Sequence, residues 1–450
     1  MPANQSEHPM WDAPTPAAPI DATVLVPASK SLTNRYLVLA ALADGPCTIH
    51  NTLISRDSEL MLSALAALGA RIVRENHQDG STTVQLTPPA LPKSGPLHID
   101  CGLAGTVMRF VPALAAALGT RVGFDGDAGA RVRPMKPVLD ALEGLGVQVG
   151  YGNEAGFLPF TINPATLVPR DELLIDASSS SQFISAMLLA APGLPGGLVL
   201  RAADGPVASP EHIEMTVATL RELGVPVTTA DDGRGWSIPH TKVPAFTVTV
   251  EPDLSNAGPF LAAALVTGGT VRVPHWPEHT TQIGGRWTGI LRAMGAEVQL
   301  GADSVLTVRG TGRIKPLDYA DAAELTPTLA ALCALADGPS KLTGIGHLRG
   351  HETDRLDALQ RELGRIGVTV NATEDSLDIV PGPRRAADLL SYEDHRMATA
   401  GAILGLAISG VRVENIATTA KTMPDFPAMW QDMVDTAAIP TGPGTAERGA

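Results

Sequence analysis

One pattern occurs six times along this chain of 450 residues, and it limits the available folds more than any other feature. A short apolar strand runs into a small polar cluster, then an Ala/Leu-rich stretch, a Gly turn and a second strand. The copies read ATVLVPASKSLTNRYLVLAALADGPCTIHN, LHIDCGLAGTVMRFVPALAAALGTRVGFDG, LLIDASSSSQFISAMLLAAPGLPGGLVLR, FTVTVEPDLSNAGPFLAAALVTGGTVRVPH, LDYADAAELTPTLAALCALADGPSKLTGI and LSYEDHRMATAGAILGLAISGVRVENI. Anchored at Lys30, Thr106, Gln182, Asn256, Thr326 and Arg396, successive copies lie 76, 76, 74, 70 and 70 residues apart. So even a spacing marks a repeat architecture.

Between the polar hubs lies a second helix, as in ELMLSALAALGARIV, MTVATLRELGVPV and RLDALQRELGRIGVTV. Its leucines recur at helical spacing, and a Gly just beyond predicts a left-handed C-cap. A strand pair follows. Each copy is therefore a β-α-β-α-β-β unit, and six units of this size predict an α/β protein of two globular domains with three units each. The midpoint falls near residues 247–253.

Composition excludes several classes. An apolar fraction of 44% is too high for a disordered chain, and a net charge of −14 argues against a nucleic-acid coat or a basic membrane-surface protein. No apolar run reaches membrane-spanning length. Cys47, Cys101 and Cys333 form no CxxC and no disulfide framework, so they read as core residues of a protein in a reducing cytoplasm. Residues 1–20 lack a basic start and an apolar segment and read as a disordered leader; residues 436–450 read as a disordered tail. There is no P-loop, no GxSxG and no Rossmann fingerprint, and His347 with His351 in HLRGH lacks the Glu and third ligand of a zinc site.

Each hub sits where a strand hands over to a helix, and helix N-termini present free N–H groups to anions. A lone Ser or Thr there is most simply a helix cap. The cations ask for more: Lys30 and Arg35 in the first hub, Arg109 in the second, Arg396 in the sixth, and Arg133, Arg355 and Lys421 at the unit junctions. Their recurrence at these positions predicts recognition of an anionic small molecule.

These residues carry a resemblance. PASKSLTNR at Pro27–Arg35, LAGTVMRF at Leu103–Phe110, SSSQF at Ser179–Phe183, RGHETDR at Arg349–Arg355, EDHRMA at Glu393–Ala398 and AKTMPDFP at Ala420–Pro427 resemble, in order and spacing, the signatures of the 5-enolpyruvylshikimate-3-phosphate synthases. The likeness runs over about residues 21–435. It implies the two-domain inside-out α/β barrel of the enolpyruvyl transferase fold. One domain would comprise 21–27 with 252–435 and the other 28–251, the two closing on substrate. It implies enolpyruvyl transfer from phosphoenolpyruvate to the 5-hydroxyl of shikimate 3-phosphate by a monomer, with no metal and no organic cofactor.

The resemblance also assigns roles. Lys30 would touch both substrates. Ser31, Arg35, Ser180, Ser181, Gln182 and Ser209 would bind shikimate 3-phosphate. Gly105 and Thr106 would let phosphoenolpyruvate approach the backbone, and Arg133, Arg355, Arg396 and Lys421 would hold its phosphate and carboxylate. His347 and His351 would complete the substrate-binding set. Glu324 would be the base for the reacting hydroxyl, and Glu352 the acid/base at the methylene carbon, with Lys30 and Lys421 assisting. Leu103, Phe110, His212, Glu324 and His351 stand where many members have Asn, Pro, Tyr, Asp and Lys. The family's inhibitor glyphosate occupies the phosphoenolpyruvate site, and Ala104-Gly105 implies sensitivity.

Three other readings compete. A UDP-N-acetylglucosamine enolpyruvyl transferase would open with Lys-Asn and carry a Cys in the loop matching Gly126–Pro134; here Ser31 follows Lys30, and the loop has no Cys. An RNA 3′-phosphate cyclase is disfavoured by the charge and by an aromatic content of 4%. A non-catalytic repeat scaffold would not need the cations at unit ends.

Overall fold

A computed structural model describes residues 8–78, 80–91 and 95–438. The chain divides into two compact units. A nearly continuous unit holds Pro27–Asp253 and the short segment His279–Ile283; a split unit holds the residues up to Val26, Leu254–Glu278 and those from Gly284 onward. Each is a three-fold arrangement of the repeated element.

In both units the hub helices are the core, because they are apolar on every side. In the continuous unit these are Lys30–Leu42, Gly105–Ala117 and Gln182–Ala190; all residues from Thr106 to Ala116 and from Phe183 to Ala190 are buried. In the split unit Leu254–Thr267, Thr326–Ala334 and His395–Gly405 play the same part. The sheets lie outside, with alternate side chains turned inward. In the strand Phe160–Asn163, for example, Phe160 and Ile162 are buried. The second helices end at Gly69, Gly146, Gly224, Gly295 and Gly367, all with φ between 80° and 110°. That is the left-handed cap which a Gly just beyond the apolar stripe predicts.

Five four-stranded sheets share one topology: the first strand runs parallel to the second, the second antiparallel to the fourth, and the fourth antiparallel to the third. Two sheets obtain their first strand by exchange. Thr247–Thr249, just before the fourth hub, pairs with Cys47–His50 beyond the first hub. Asp21–Thr23, just before the first hub, pairs with Thr270–Val273 beyond the fourth. The two crossing segments meet at an Ala28–Pro252 bridge, with Ser29 N donating to Glu251 O and Asp253 N to Pro27 O, each at 2.8 Å.

The sixth copy departs from the β-α-β-α-β-β expectation. Its second helix, Phe426–Asp435, is followed by no strand pair among the described residues. The sheet is instead completed from the other end of the chain. Met10–Asp12 pairs antiparallel with Arg412–Glu414, beside the parallel strand Asp388–Leu389. This corrects the reading of residues 1–20 as a disordered leader: Ala13 N donates to Val411 O, Thr15 Oγ1 to Gly405 O, and Ala13 and Ile20 are buried. Three-residue strands between prolines give no alternation to read. Residues 1–7 lie outside the described residues. The disordered-tail reading is corrected at its start, where Thr436–Ala438 is a 3₁₀ turn and Thr436 Oγ1 accepts from Asp21 N; 439–450 lie outside the described residues. The three cysteines are buried and unbridged. Among the described residues no helix is long and apolar enough to cross a membrane.

Candidate active site

The continuous unit brings the first three hubs together at their helix starts. Ser29 caps the first helix, its Oγ accepting from Leu32 N. Asn34 Nδ2 donates to Thr106 Oγ1 at 2.8 Å, joining hub one to hub two. Arg109 Nη1 donates to Gln182 Oε1 at 2.6 Å, joining hub two to hub three. With its carbonyl so engaged, Gln182 presents its amide N–H groups as donors. Ser181 stands at the start of the third helix, and Ser180 Oγ accepts from Gln182 N. Ser209 has a φ of 46°, an uncommon backbone for a non-glycine residue.

The cations of this unit differ in burial. Lys30 Nζ lies 3.0 Å from Asp57 Oδ2. Arg133 Nη1 donates to Leu103 O at 3.1 Å and lies over Gly105, where an added Cβ would come within 3.0 Å of Arg133 Nη2. Gly105 is thus the absence of a side chain beneath a guanidinium. Arg35 is only 2% exposed: it donates to Thr216 Oγ1, Ser31 O and His212 O, and its guanidinium lies 5.6 Å from the centroid of the Phe110 ring. Phe110 therefore supports an arginine. Arg109 stacks on Phe183, and burial, with the charge of Arg133 behind it, pushes its guanidinium well below the ordinary value.

The split unit gathers the other candidates around two carboxylates. Glu324 Oε1 accepts from Ser255 Oγ of the fourth hub at 3.3 Å and lies 3.9 Å from Arg396 Nη2 of the sixth. Glu352 Oε2 lies 3.1 Å from His395 Nδ1 and 3.3 Å from Lys421 Nζ. Burial alone would raise the Glu352 carboxyl, but His395, Lys421 and Arg355 outweigh it and hold it well below the usual carboxylate range. Lys421 also donates to Glu393 O at 2.8 Å.

Arg355 is buried, and Asp394 accepts from its Nε and Nη2 at 2.7 and 3.2 Å. Burial works against its charge, and the Asp394 carboxylate more than offsets that. Asp394 also caps the sixth hub helix by accepting from Arg396 N. His347 and His351 stack edge to face, and Nδ1 of His351 lies 3.4 Å from Arg355 Nη1. Burial above all, then the charge of Arg355, holds His351 well below its ordinary value, so it is neutral at neutral pH.

Asp57, Asn34, Ser255 and Asp394 were not among the candidate site residues. Their signal is only that an acid, amide or hydroxyl lies near a helix start; their partners are 27 to 72 residues away.

A family model described as EPSP synthase (3-phosphoshikimate 1-carboxyvinyltransferase) matches residues 14–430. The chain belongs to the EPSP synthase family. It is 52% identical over 438 residues to a 3-phosphoshikimate 1-carboxyvinyltransferase of Kocuria rhizophila, covering 96% of this chain and 98% of that protein. A protein of the same name from Bifidobacterium longum is 50% identical, covering 94% and 98%. The fold matches an EPSP synthase of Acinetobacter baumannii with TM-score 0.77 at 23% identity, covering 94% of this chain and 97% of that one. An enolpyruvyl transferase of Streptomyces tendae matches with TM-score 0.71 at 18% identity, covering 95% and 97%. Membership of the EPSP synthase family favours a carboxyvinyltransferase over the UDP-sugar enzyme and over a non-catalytic scaffold.

Proposed function

We propose that the chain transfers the enolpyruvyl group of phosphoenolpyruvate to the 5-hydroxyl of shikimate 3-phosphate, releasing phosphate, as a cytoplasmic monomer. The observation that carries this reading beyond family membership is the pairing of the two candidate acids of the split unit with cations: Glu324 beside Arg396, Glu352 beside Lys421. The reaction needs a base near one phosphate-binding group and an acid/base near another.

In this reading Glu324 takes the proton of the 5-hydroxyl as its oxygen bonds to C2 of phosphoenolpyruvate. C3 gains a proton in the same addition. Glu352 is held ionised at rest, so that proton enters through its hydrogen-bonded partners; the Lys421 ammonium is a donor in contact. The tetrahedral adduct then loses phosphate, which leaves with the hydroxyl's proton, and C3 returns its proton to the Glu352–Lys421 pair. Net, one enol ether and one phosphate form. Arg133, Arg355, Arg396 and Lys421, with Gly105 and Thr106, bind phosphoenolpyruvate; planar guanidinium groups suit bidentate oxyanion recognition. Ser31, Ser180, Ser181, Gln182 and Ser209 bind shikimate 3-phosphate, and Lys30 serves both. Arg35 is read as a shikimate 3-phosphate ligand as well, its guanidinium oriented by Thr216 Oγ1, Ser31 O and His212 O. His347 and His351 line the Arg355 side, His351 as a neutral ring.

The test is phosphate release with both substrates in the presence of a chelator. Turnover that requires both and ignores the chelator is expected. No turnover with either substrate omitted or both present, in folded protein, would overturn the reading.

A further inference from the structure

The geometry points to Asp57 as a positioning residue that fixes the ammonium of Lys30 for the transfer reaction. This rests on the proposed role of Lys30 in substrate binding.

Lysine carries its charge on four rotatable bonds, so an ammonium that must meet two ligands needs an anchor. The Asp57 side chain is 9% exposed and that of Lys30 20%, and Asp57 Oδ2 accepts from Nζ at 3.0 Å. Asp57 is itself fixed. It lies in the first turn of the helix Arg56–Leu68, where an acid is favoured. That turn is locked by a capping box in which Ser58 Oγ accepts from Ser55 N at 2.7 Å, and Ser55 and Ser58 are both buried. The preceding residue anchors the helix on its other side: Arg56 pairs with Asp127, at the start of the turn Ala128–Arg131 that leads to Arg133. One rigid helix start thus holds Lys30 directly and braces the loop of Arg133.

The carboxylate also places a negative charge 3.0 Å from the ammonium, and an adjacent anion favours a protonated amine. Asp57→Asn keeps an oxygen for the N–H and removes the charge; Asp57→Ala removes both. The measurements are kcat, both KM values and the alkaline limb of the kcat/KM profile for each, in wild-type and Lys30→Arg backgrounds, with urea midpoints alongside. Asp57→Asn is expected to lower kcat/KM roughly ten- to thirty-fold and to move the alkaline limb to lower pH. Its urea midpoint should stay near wild type. Asp57→Ala should do more. In Lys30→Arg the limb should no longer respond to Asp57, because arginine does not titrate there.

If Asp57→Asn leaves kcat, KM and the alkaline limb at wild type while Lys30→Ala cripples turnover, this inference fails and the Lys30 assignment stands. If Lys30→Ala itself changes nothing, the assignment of Lys30 fails. Activity lost in step with the urea midpoint, with an unmoved limb, would make Asp57 structural only and overturn the proposal.

Discussion

The pair of Arg355 and Asp394 allows a quantitative test of how the split unit is held. The two side chains are 2% and 0% exposed and share two hydrogen bonds of 2.7 and 3.2 Å. Water cannot compensate either charge once its partner is gone. Removing one partner of such a pair costs about 3–5 kcal/mol, whereas removing both leaves no uncompensated charge and costs much less than two such losses. Asp394→Asn retains an oxygen for Arg396 N, so most of its helix cap survives and the cost isolates the charge. With a urea dependence of roughly 3 kcal/mol per molar for a unit of this size, the midpoint should fall by about 1–1.7 M. Arg355→Met should fall as far. The double variant should lie well above the sum, with a coupling of about 2–3 kcal/mol. Tryptophan fluorescence reports the right unit, because in a Trp236→Phe background the remaining Trp11, Trp276, Trp287 and Trp430 all belong to the split unit. Single variants within about 1 kcal/mol of wild type, or a double variant equal to the sum, would refute the buried-charge argument.

Three further outcomes are expected. Glu324→Gln should lower kcat on the order of 10²-fold with substrate binding largely kept, measured by steady-state kinetics and calorimetry; an unchanged kcat removes Glu324 as the base. Gly105→Ala places a Cβ 3.0 Å from Arg133 Nη2 and 3.2 Å from Gln182 Oε1. Arg133 must then shift, raising KM for phosphoenolpyruvate roughly tenfold at little cost to folding; an unchanged KM would remove Arg133 from that site. Stability should fall as pH drops below about 6.5, because His351 and His395, both held below their ordinary values, take up protons on unfolding. Each contributes up to about 1.4 kcal/mol per pH unit until its folded value is reached, while Glu352 stays ionised in both states above pH ~4.5 and adds no slope. His351→Gln should flatten the urea midpoint against pH, and an unaltered slope would contradict its burial as a neutral ring.

Much of this was legible in the residues. Even hub spacing, leucine periodicity and the recurrent Gly at the second helix's end reveal the repeat because they are local signals. SKS, RGHETDR and EDHRMA reveal the candidate site because its side chains sit at helix starts. What escaped depends on distance. The strand Met10–Asp12 is too short for any pattern and is defined by a partner 400 residues on. Arg35 and Arg109 carry the same charge as Arg133, yet the hydroxyl, carbonyl and aromatic partners that turn them inward come from other copies. That His351 is uncharged follows from burial beside Arg355, which no local pattern reports.

The exchanged strands impose an order on biosynthesis. Every strand of the continuous unit's sheets has been translated once Thr249 is made, so that unit can fold while the rest is still on the ribosome. The split unit cannot. Met10–Asp12 and Asp21–Thr23 emerge first, but their partners Arg412–Glu414 and Thr270–Val273 come some 400 and 250 residues later. Met10–Asp12 must therefore wait, unpaired, until Arg412–Glu414 has been made. A permuted chain that begins at Pro27 and carries residues 8–26 after residue 438 would remove that wait, since Asp21 N already meets Thr436 Oγ1 near the other end. Such a chain would have its strands synthesised next to the unit that uses them.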